Sequence, residues 1–303
     1  MFSRIFAFGD SFVAGDELAS DNIDNFIDNI KKNVNNIVWD DNSGSVNLSK
    51  SENLLELQNL SKKLQLDHYG SLEAIHNENI NLSFPNILGK KINVPVSNYA
   101  SGGSSHVRIF STFLDKMYEI EKEKSPFVII GLTGILRNSR FKPTFDYGSS
   151  KSNIDVNLLT YVPPHVHNDY KKRHDQYVIG EMEFGDDNFA KAHTKLAYLF
   201  SFKFKLQNIP HIIIDSNNEI LDFESFKYYY SPDMLTDDDP RMNQLCKIHS
   251  HFINNLYHTN LKKLSQYYTG GINCSCLYGH PKKEYHVYLA EIILNDLIGN
   301  GVI

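Results

Sequence analysis

The stretch Phe6-Ala7-Phe8-Gly9-Asp10-Ser11-Phe12 decides how this chain is read. A short apolar strand, predicted over Phe2–Phe8, ends abruptly on a glycine, an acid and a serine. A buried strand that delivers a serine to the edge of a sheet on a tight turn presents a hydroxyl with backbone N–H groups beside it. Acyl transfer needs that arrangement. A histidine able to activate such a serine stands near the far end of the chain, in Gly279-His280-Pro281. A fold has to bring the two together.

Working outward, further short apolar runs bounded by turn residues read as buried parallel strands: Phe127–Ile130, His211–Ile214 and, more weakly, Val94–Ser97. Helical periodicity fills the intervals. Val107, Phe110, Leu114 and Met117 form one expected apolar face, and Ala192, Leu196, Leu199, Phe202 and Leu206 another. Leu245, Ile248, Phe252 and Leu256 form a third; Val287, Ala290, Leu294 and Leu297 form the last, in a helix opening at Pro281 and stopping at Gly299. Strands alternating with helices predict an α/β fold, a three-layer α/β/α sandwich around a mostly parallel sheet.

Two segments break that rhythm. Residues 17–82 are rich in Asn, Asp, Ser and Lys with one apolar helical stretch, Leu54–Leu64, and read as a helical insertion after the first strand, an inserted subdomain or lid within a single domain of residues 1–303. Residues 142–187 are a long polar loop, expected near the cleft, that contains Tyr161, His165, His167, Tyr170, His174 and Tyr177. With Trp39, these aromatics are candidates for a sugar-stacking rim. His165 and His167 lack an acid or cysteine at metal-ligating spacing, so a solvated loop is expected rather than a metal site.

The bulk properties narrow the class. A chain of 303 residues, 41% hydrophobic and 12% aromatic, can bury a substantial core. A formal charge of −6 gives no reason to expect nucleic acid as a partner. Three cysteines, Cys246, Cys274 and Cys276, offer neither a disulfide framework nor a zinc set, and are expected in a reducing compartment. The opening residues do not have the length of a secretion signal, and no run of apolar residues is long enough to span a membrane. The expectation is a cytoplasmic or virion-associated protein with no membrane partner; oligomeric state is not legible.

Four features follow one another along the chain. Gly9-Asp10-Ser11 comes after a strand. Asn98-Tyr99-Ala100-Ser101-Gly102-Gly103-Ser104-Ser105 comes after a strand and opens a helix. Val128-Ile129-Ile130-Gly131-Leu132-Thr133 is a strand ending in a glycine, and Gly279-His280-Pro281 enters the final helix with His286 and Ala290 beyond it. In a parallel sheet all four are expected at the carboxyl ends of strands, where open α/β sheets bind ligands.

This order resembles the SGNH (GDSL-type) hydrolases, a family of esterases, lipases and acetylesterases. Its local detail is closest to the variant found in tailed-phage proteins, with an Asn-x-Ala-x-x-Gly-Ser-Ser second block and Ile-Gly-x-Thr as the third. The resemblance implies Ser11 as nucleophile, His280 as general base, and the N–H groups of Ser11 and Gly103 as oxyanion donors. It implies no cofactor and no metal. The family's third-block asparagine is replaced by Thr133, whose hydroxyl is the expected substitute donor, with Arg137, Asn138 and Arg140 as further candidates. The aspartate the family places three residues before its histidine is here Leu277, so the expected support for His280 is the Leu277 main-chain carbonyl or a distant acid. Asp10 is expected to hold the turn through backbone N–H groups, and His286 to sit on a helix flank. The implied activity is hydrolysis of small acyl esters, an acetyl group on a sugar above all. A slow or vestigial enzyme, or a non-catalytic module that binds glycans or serves as a phage structural component, is the alternative.

Overall fold

The structure is a computed structural model and describes residues 2–40, 44–48, 50–133, 139–143, 156–160, 201–202, 205–215 and 276–303. Four strands, β1 (Arg4–Phe8), β2 (Val96–Asn98), β3 (Pro126–Leu132) and β6 (His211–Asp215), form an all-parallel sheet in the order β2-β1-β3-β6. In register, Ile5 stands opposite Val96 on one side and Phe127 on the other, and Ile129 opposite Ile212. The expected strands are all present, with β2 starting two residues later than its apolar run, since the Val94 N–H is bonded to Gly89 O at 2.8 Å rather than along the sheet. A separate antiparallel pair joins β4 (Ser139–Pro143) to β5 (Val156–Thr160).

Alternation along the strands sends side chains to both faces, and helices cover both, as the three-layer reading requires. Ile5, Ala7, Phe127, Ile129, Ile212 and Ile214 face α5 (Phe84–Ile92) and the last helix, α7 (Lys283–Gly299). On the opposite face Phe8 meets Phe113 of α6 (His106–Lys122) edge-on at 5.5 Å, and Phe113 meets Phe202 at 5.3 Å.

The docking face of α6 is not the expected one. It buries His106, Ile109, Phe113 and Ile120, whereas Leu114 is 40% exposed. The helix is apolar over more than one stripe, and the sheet selects between them. Phe110 lies at the border, with its ring 4.9 Å from that of Phe202. The faces expected over Ala192–Leu206 and Leu245–Leu256 lie largely or wholly outside the described residues.

Between β1 and α5 the chain forms α1 (Ser11–Ala14), a 3₁₀ turn at Leu18–Asn22, α2 (Phe26–Asn33), α3 (Leu54–Tyr69) and α4 (Leu72–Leu82). These helices build a second, smaller core in which Phe26, Ile30, Val34, Val46 and Leu57 pack with Leu277. Leu277 belongs to the loop that enters α7, three residues before His280. The polar helical stretch therefore packs on the histidine loop. Trp39 packs against this small core, and the Lys31 ammonium sits 4.7 Å above its ring. The remaining members of the expected aromatic rim, Tyr161 to Tyr177, lie outside the described residues, as do Cys246, Cys274, His165 and His167.

Candidate active site

The strand order places β1 at the point where the chain reverses direction across the sheet, the position at which parallel α/β sheets open a crevice at their carboxyl ends. Ser11 follows β1, the glycine loop follows β2 and Thr133 follows β3. The main chain after β2 keeps bonding along β1: Tyr99 N–H donates to Ala7 O at 2.8 Å and Ser101 N–H to Gly9 O at 3.1 Å. The second glycine block is thereby drawn alongside the serine turn.

Packing explains the glycines beneath this turn. A Cβ on Gly9 would come 2.3 Å from Val13 Cγ2, and one on Gly131 would come 2.1 Å from the same methyl. Val13, the third residue of α1, thus nests over two adjacent strand ends that must be bare. Asn98 adds a polar tie: its amide nitrogen donates to Val13 O at 3.0 Å and to Ser83 Oγ at 3.2 Å, while its oxygen accepts from Ala100 N–H at 3.0 Å.

Ser11 opens α1, with Asp10 as N-cap in extended conformation. Asp10 Oδ1 accepts from Phe12 N–H at 3.0 Å, as the turn-holding reading expects. Its other oxygen accepts from the Thr133 hydroxyl at 2.8 Å. A hydroxyl carries one hydrogen, and in this structure the Thr133 hydrogen goes to Asp10, so Thr133 braces the N-cap. Arg137 and Asn138 lie outside the described residues, and Arg140 falls in β4. Gly103 has φ of 70°, which a residue with a side chain adopts at a cost, in line with the glycine there.

Immediately after α1 the chain doubles back through two left-handed residues, Gly15 at φ 75° and Glu17 at φ 71°. For a glutamate this is an unusual backbone, of the kind that persists where surrounding contacts enforce it. The contacts are clear. Glu17 Oε2 lies 2.5 Å from His280 Nδ1 and accepts from His280 N–H at 3.4 Å; Glu17 Oε1 accepts from Tyr278 N–H at 2.9 Å. One carboxylate grips the histidine loop at three points.

Of the two expected supports for His280, the Leu277 carbonyl or a distant acid, the structure places an acid on Nδ1. The carbonyl of Leu277 accepts from Val46 N–H at 2.9 Å and its side chain is buried in the small helical core, so it is committed to the insertion rather than to the His280 ring. The carboxylate on Nδ1 is that of Glu17, six residues beyond Ser11, a distant acid on the opposite side of the sequence from where the family pattern places one. The only signal for it in the sequence was an acid shortly after the serine turn.

Charge around His280 follows from this grip. Burial pulls its pKa down, but the hydrogen bond and charge of Glu17, with the charges of Asp16 and Asp10, carry it above the ordinary histidine value. Bonding at Nδ1 leaves Nε2 as the nitrogen for proton transfer. No hydrogen bond joins the Ser11 hydroxyl to the His280 ring among the described residues; Ser11 itself is 5% exposed. Asp16 completes the group. Burial raises its pKa, the charges of Glu17 and Asp10 add to this, and His280 and His76 offset it in part.

His286 also departs from expectation. It is fully buried on the core side of α7, not on a flank. Its Nδ1 accepts from Phe84 N–H at 3.1 Å, and its ring lies 5.6 Å from Phe12, next to the serine. Burial, with a smaller contribution from His280, pushes its pKa down to about 3, so it is neutral and structural.

No family model matches the sequence, and no curated protein matches it. Solved structures similar to the chain include a carbohydrate esterase whose active site "displays divergent catalytic and non-catalytic binding functions", at 13% identity and a TM-score of 0.39, covering 98% of this chain and 64% of the other. A carbohydrate esterase family 2 enzyme with a carbohydrate-binding domain from Corynascus thermopiles (Myceliophthora fergusii) is similar at 11% identity and a TM-score of 0.38, covering 98% and 66%. The chain spans about two thirds of the length of these structures. Among the described residues no helix is long and apolar enough to cross a membrane.

Proposed function

We propose that this protein is a serine esterase that hydrolyses small acyl esters, with an acetylated carbohydrate as the favoured substrate. The observation that carries this reading is the Glu17 carboxylate at 2.5 Å from His280 Nδ1, at the end of the sheet where Ser11 opens α1. A carboxylate on Nδ1 selects the tautomer with a basic Nε2 and stabilises the imidazolium, the two tasks of a triad acid.

In this reaction His280 Nε2 takes the Ser11 proton as Oγ attacks the ester carbonyl. The N–H groups of Ser11 and Gly103 hold the tetrahedral oxyanion. His280 then gives its proton to the leaving alcohol, and water repeats the sequence on the acyl-enzyme to release the acid. With Thr133 engaged by Asp10, the hole has one donor fewer than the family pattern, a deficit on the order of 3 kcal/mol in the transition state. Turnover is accordingly expected to be slow. Residues 17–82 serve in this reading as the buttress of the histidine loop rather than as a lid.

Hydrolysis of p-nitrophenyl acetate, compared with Ser11→Ala and His280→Ala, tests the reading, together with mass-spectrometric detection of a fluorophosphonate adduct on Ser11. Activity that persists in both variants, or is absent throughout with no adduct, overturns it. The engagement of the Thr133 hydroxyl and the absence of a Ser11–His280 hydrogen bond favour one second reading, a cleft that binds glycan esters without turning them over. Retention of acetylated glycans by unmodified protein that hydrolyses none of them would select it.

A further inference from the structure

Asp16 is the one carboxylate of the site whose task the mechanism leaves open. Its backbone is tied to the nucleophile turn, Asp16 N–H donating to Ser11 O at 2.9 Å. Its side chain lies across the glycine loop: a Cβ on Gly102 would meet Asp16 Oδ2 at 2.1 Å, so the carboxylate rests on the bare Cα one residue before Gly103. It also feels the charges of His280 and Asp10. Asp16 is thus set between the proposed oxyanion loop and the proposed base.

Asp10 and Glu17 spend their oxygens on protein donors. The half-buried Asp16 carboxylate, by contrast, receives no hydrogen bond from the described residues, so its oxygens face solvent and are open to a substrate donor. The side of the ester that reaches this position follows from the chemistry. The acyl oxygen points to the Ser11 and Gly103 N–H groups, and the leaving oxygen points to His280, which protonates it. Asp16, lying against Gly102 and within the field of His280, is then placed to meet substituents of the alcohol next to that oxygen.

We propose that Asp16 is a specificity-determining residue, accepting a hydrogen bond from a free hydroxyl adjacent to the scissile ester oxygen. This rests on the esterase reading above and deepens it: the preferred alcohol is a polyol with a neighbouring hydroxyl, not a simple or lipidic alcohol. A site built to accept from a substrate hydroxyl discriminates against the analogue that lacks it, because the bound alcohol then covers the acceptor without pairing it.

The test compares kcat/KM for methyl xyloside monoacetates whose neighbouring hydroxyl is either free or methylated, with p-nitrophenyl acetate alongside. Wild-type protein is expected to favour the free hydroxyl by at least about 10-fold. Asp16→Ala is expected to bring that preference to within about two-fold, and Asp16→Asn, which keeps an acceptor oxygen, to retain part of it. Gly102→Ala displaces the carboxylate without removing it and should also erode the preference. A merely structural or electrostatic role of Asp16 would depress both sugar esters equally and leave their ratio intact. An unchanged ratio in Asp16→Ala, or none in wild type, overturns the assignment while p-nitrophenyl acetate is still hydrolysed. Failure of wild type on every ester, with no Ser11 adduct, overturns the esterase reading and the assignment with it.

Discussion

Glu17 and His280 stand 263 residues apart in sequence and 2.5 Å apart in space, the carboxylate oxygen against Nδ1 of the ring. The contact reaches across nearly the whole chain, and it is made by a glutamate held at φ 71°. It ties the turn after the first strand to the loop before the last helix, and it sets the charge of the imidazole.

Replacing Glu17 with Gln should lower kcat/KM by about 10- to 100-fold, on the order of 1.4–2.7 kcal/mol of transition-state stabilisation. The acid limb of the pH–rate profile should move as well. A base works when neutral, so activity rises as pH passes its pKa; Glu17 holds that pKa above the ordinary value, and its loss shifts the limb to lower pH. A limb that stays in place would show that Glu17 does not face the working histidine.

The same pair makes a stability prediction. A histidine whose folded pKa is raised contributes stability that is complete below its unfolded pKa and is lost as pH rises through the folded value. The urea midpoint of wild type should therefore exceed that of Glu17→Gln by more at pH 6 than at pH 9. Equal gaps at both pH values would contradict the coupling.

His286 should act in the opposite sense. Its pKa falls to about 3 on folding, so below the unfolded value the unfolded chain binds a proton the folded chain refuses. Stability is expected to fall by up to about 1.4 kcal/mol per pH unit as pH drops from the ordinary histidine value toward that pKa. His286→Gln retains an acceptor for Phe84 N–H and removes the titration. Urea unfolding at pH 7.5 and 4.5 should show a smaller acid-side loss in the variant.

Thr133 provides a check on its bond to Asp10. Thr133→Val leaves a nearly buried Asp10 carboxylate short of one donor, at a cost of about 1–3 kcal/mol in unfolding free energy, while Thr133→Ser should restore it. Thermal melts of the two variants would separate this bracing role from a hydroxyl that contributes nothing to the fold.

Gly131 is expected to resist even a methyl group. Gly131→Ala drives a Cβ to 2.1 Å from Val13 Cγ2 and should cost about 1–3 kcal/mol by overpacking. Trimming the neighbour in Gly131→Ala with Val13→Ala should recover part of the loss, giving a coupling energy in a double-mutant cycle. Additive effects would mean that the two side chains do not meet.

Much of this architecture is local and therefore legible. A strand that must be buried on both faces has to be apolar throughout, which is why Arg4–Phe8, Pro126–Leu132 and His211–Asp215 stand out, and why Gly9-Asp10-Ser11 marks the end of the first. Turn and cap chemistry is local as well, so Asp10 was expected to hold the turn through nearby backbone N–H groups, and the structure shows it bonded to Phe12 N–H. The face of α6 was not legible, because two apolar stripes run along it and only contact with Phe8 and Phe202 chooses between them.

The partners of polar side chains belong to the same second class. Thr133 was close enough in pattern to stand in for an asparagine, yet its hydrogen goes to Asp10. Leu277 occupied the aspartate position, yet its carbonyl goes to Val46. By itself the chain determined a parallel α/β sheet with a serine turn and a glycine loop after two of its strands, because apolar runs and turn residues act over a few neighbours; the place of the histidine was only an expectation, which the family resemblance supported. Which acid meets the histidine was decided only by tertiary structure, since a hydrogen bond between Glu17 and His280 depends on how a left-handed turn and a helical insertion fold back, and no periodicity records that.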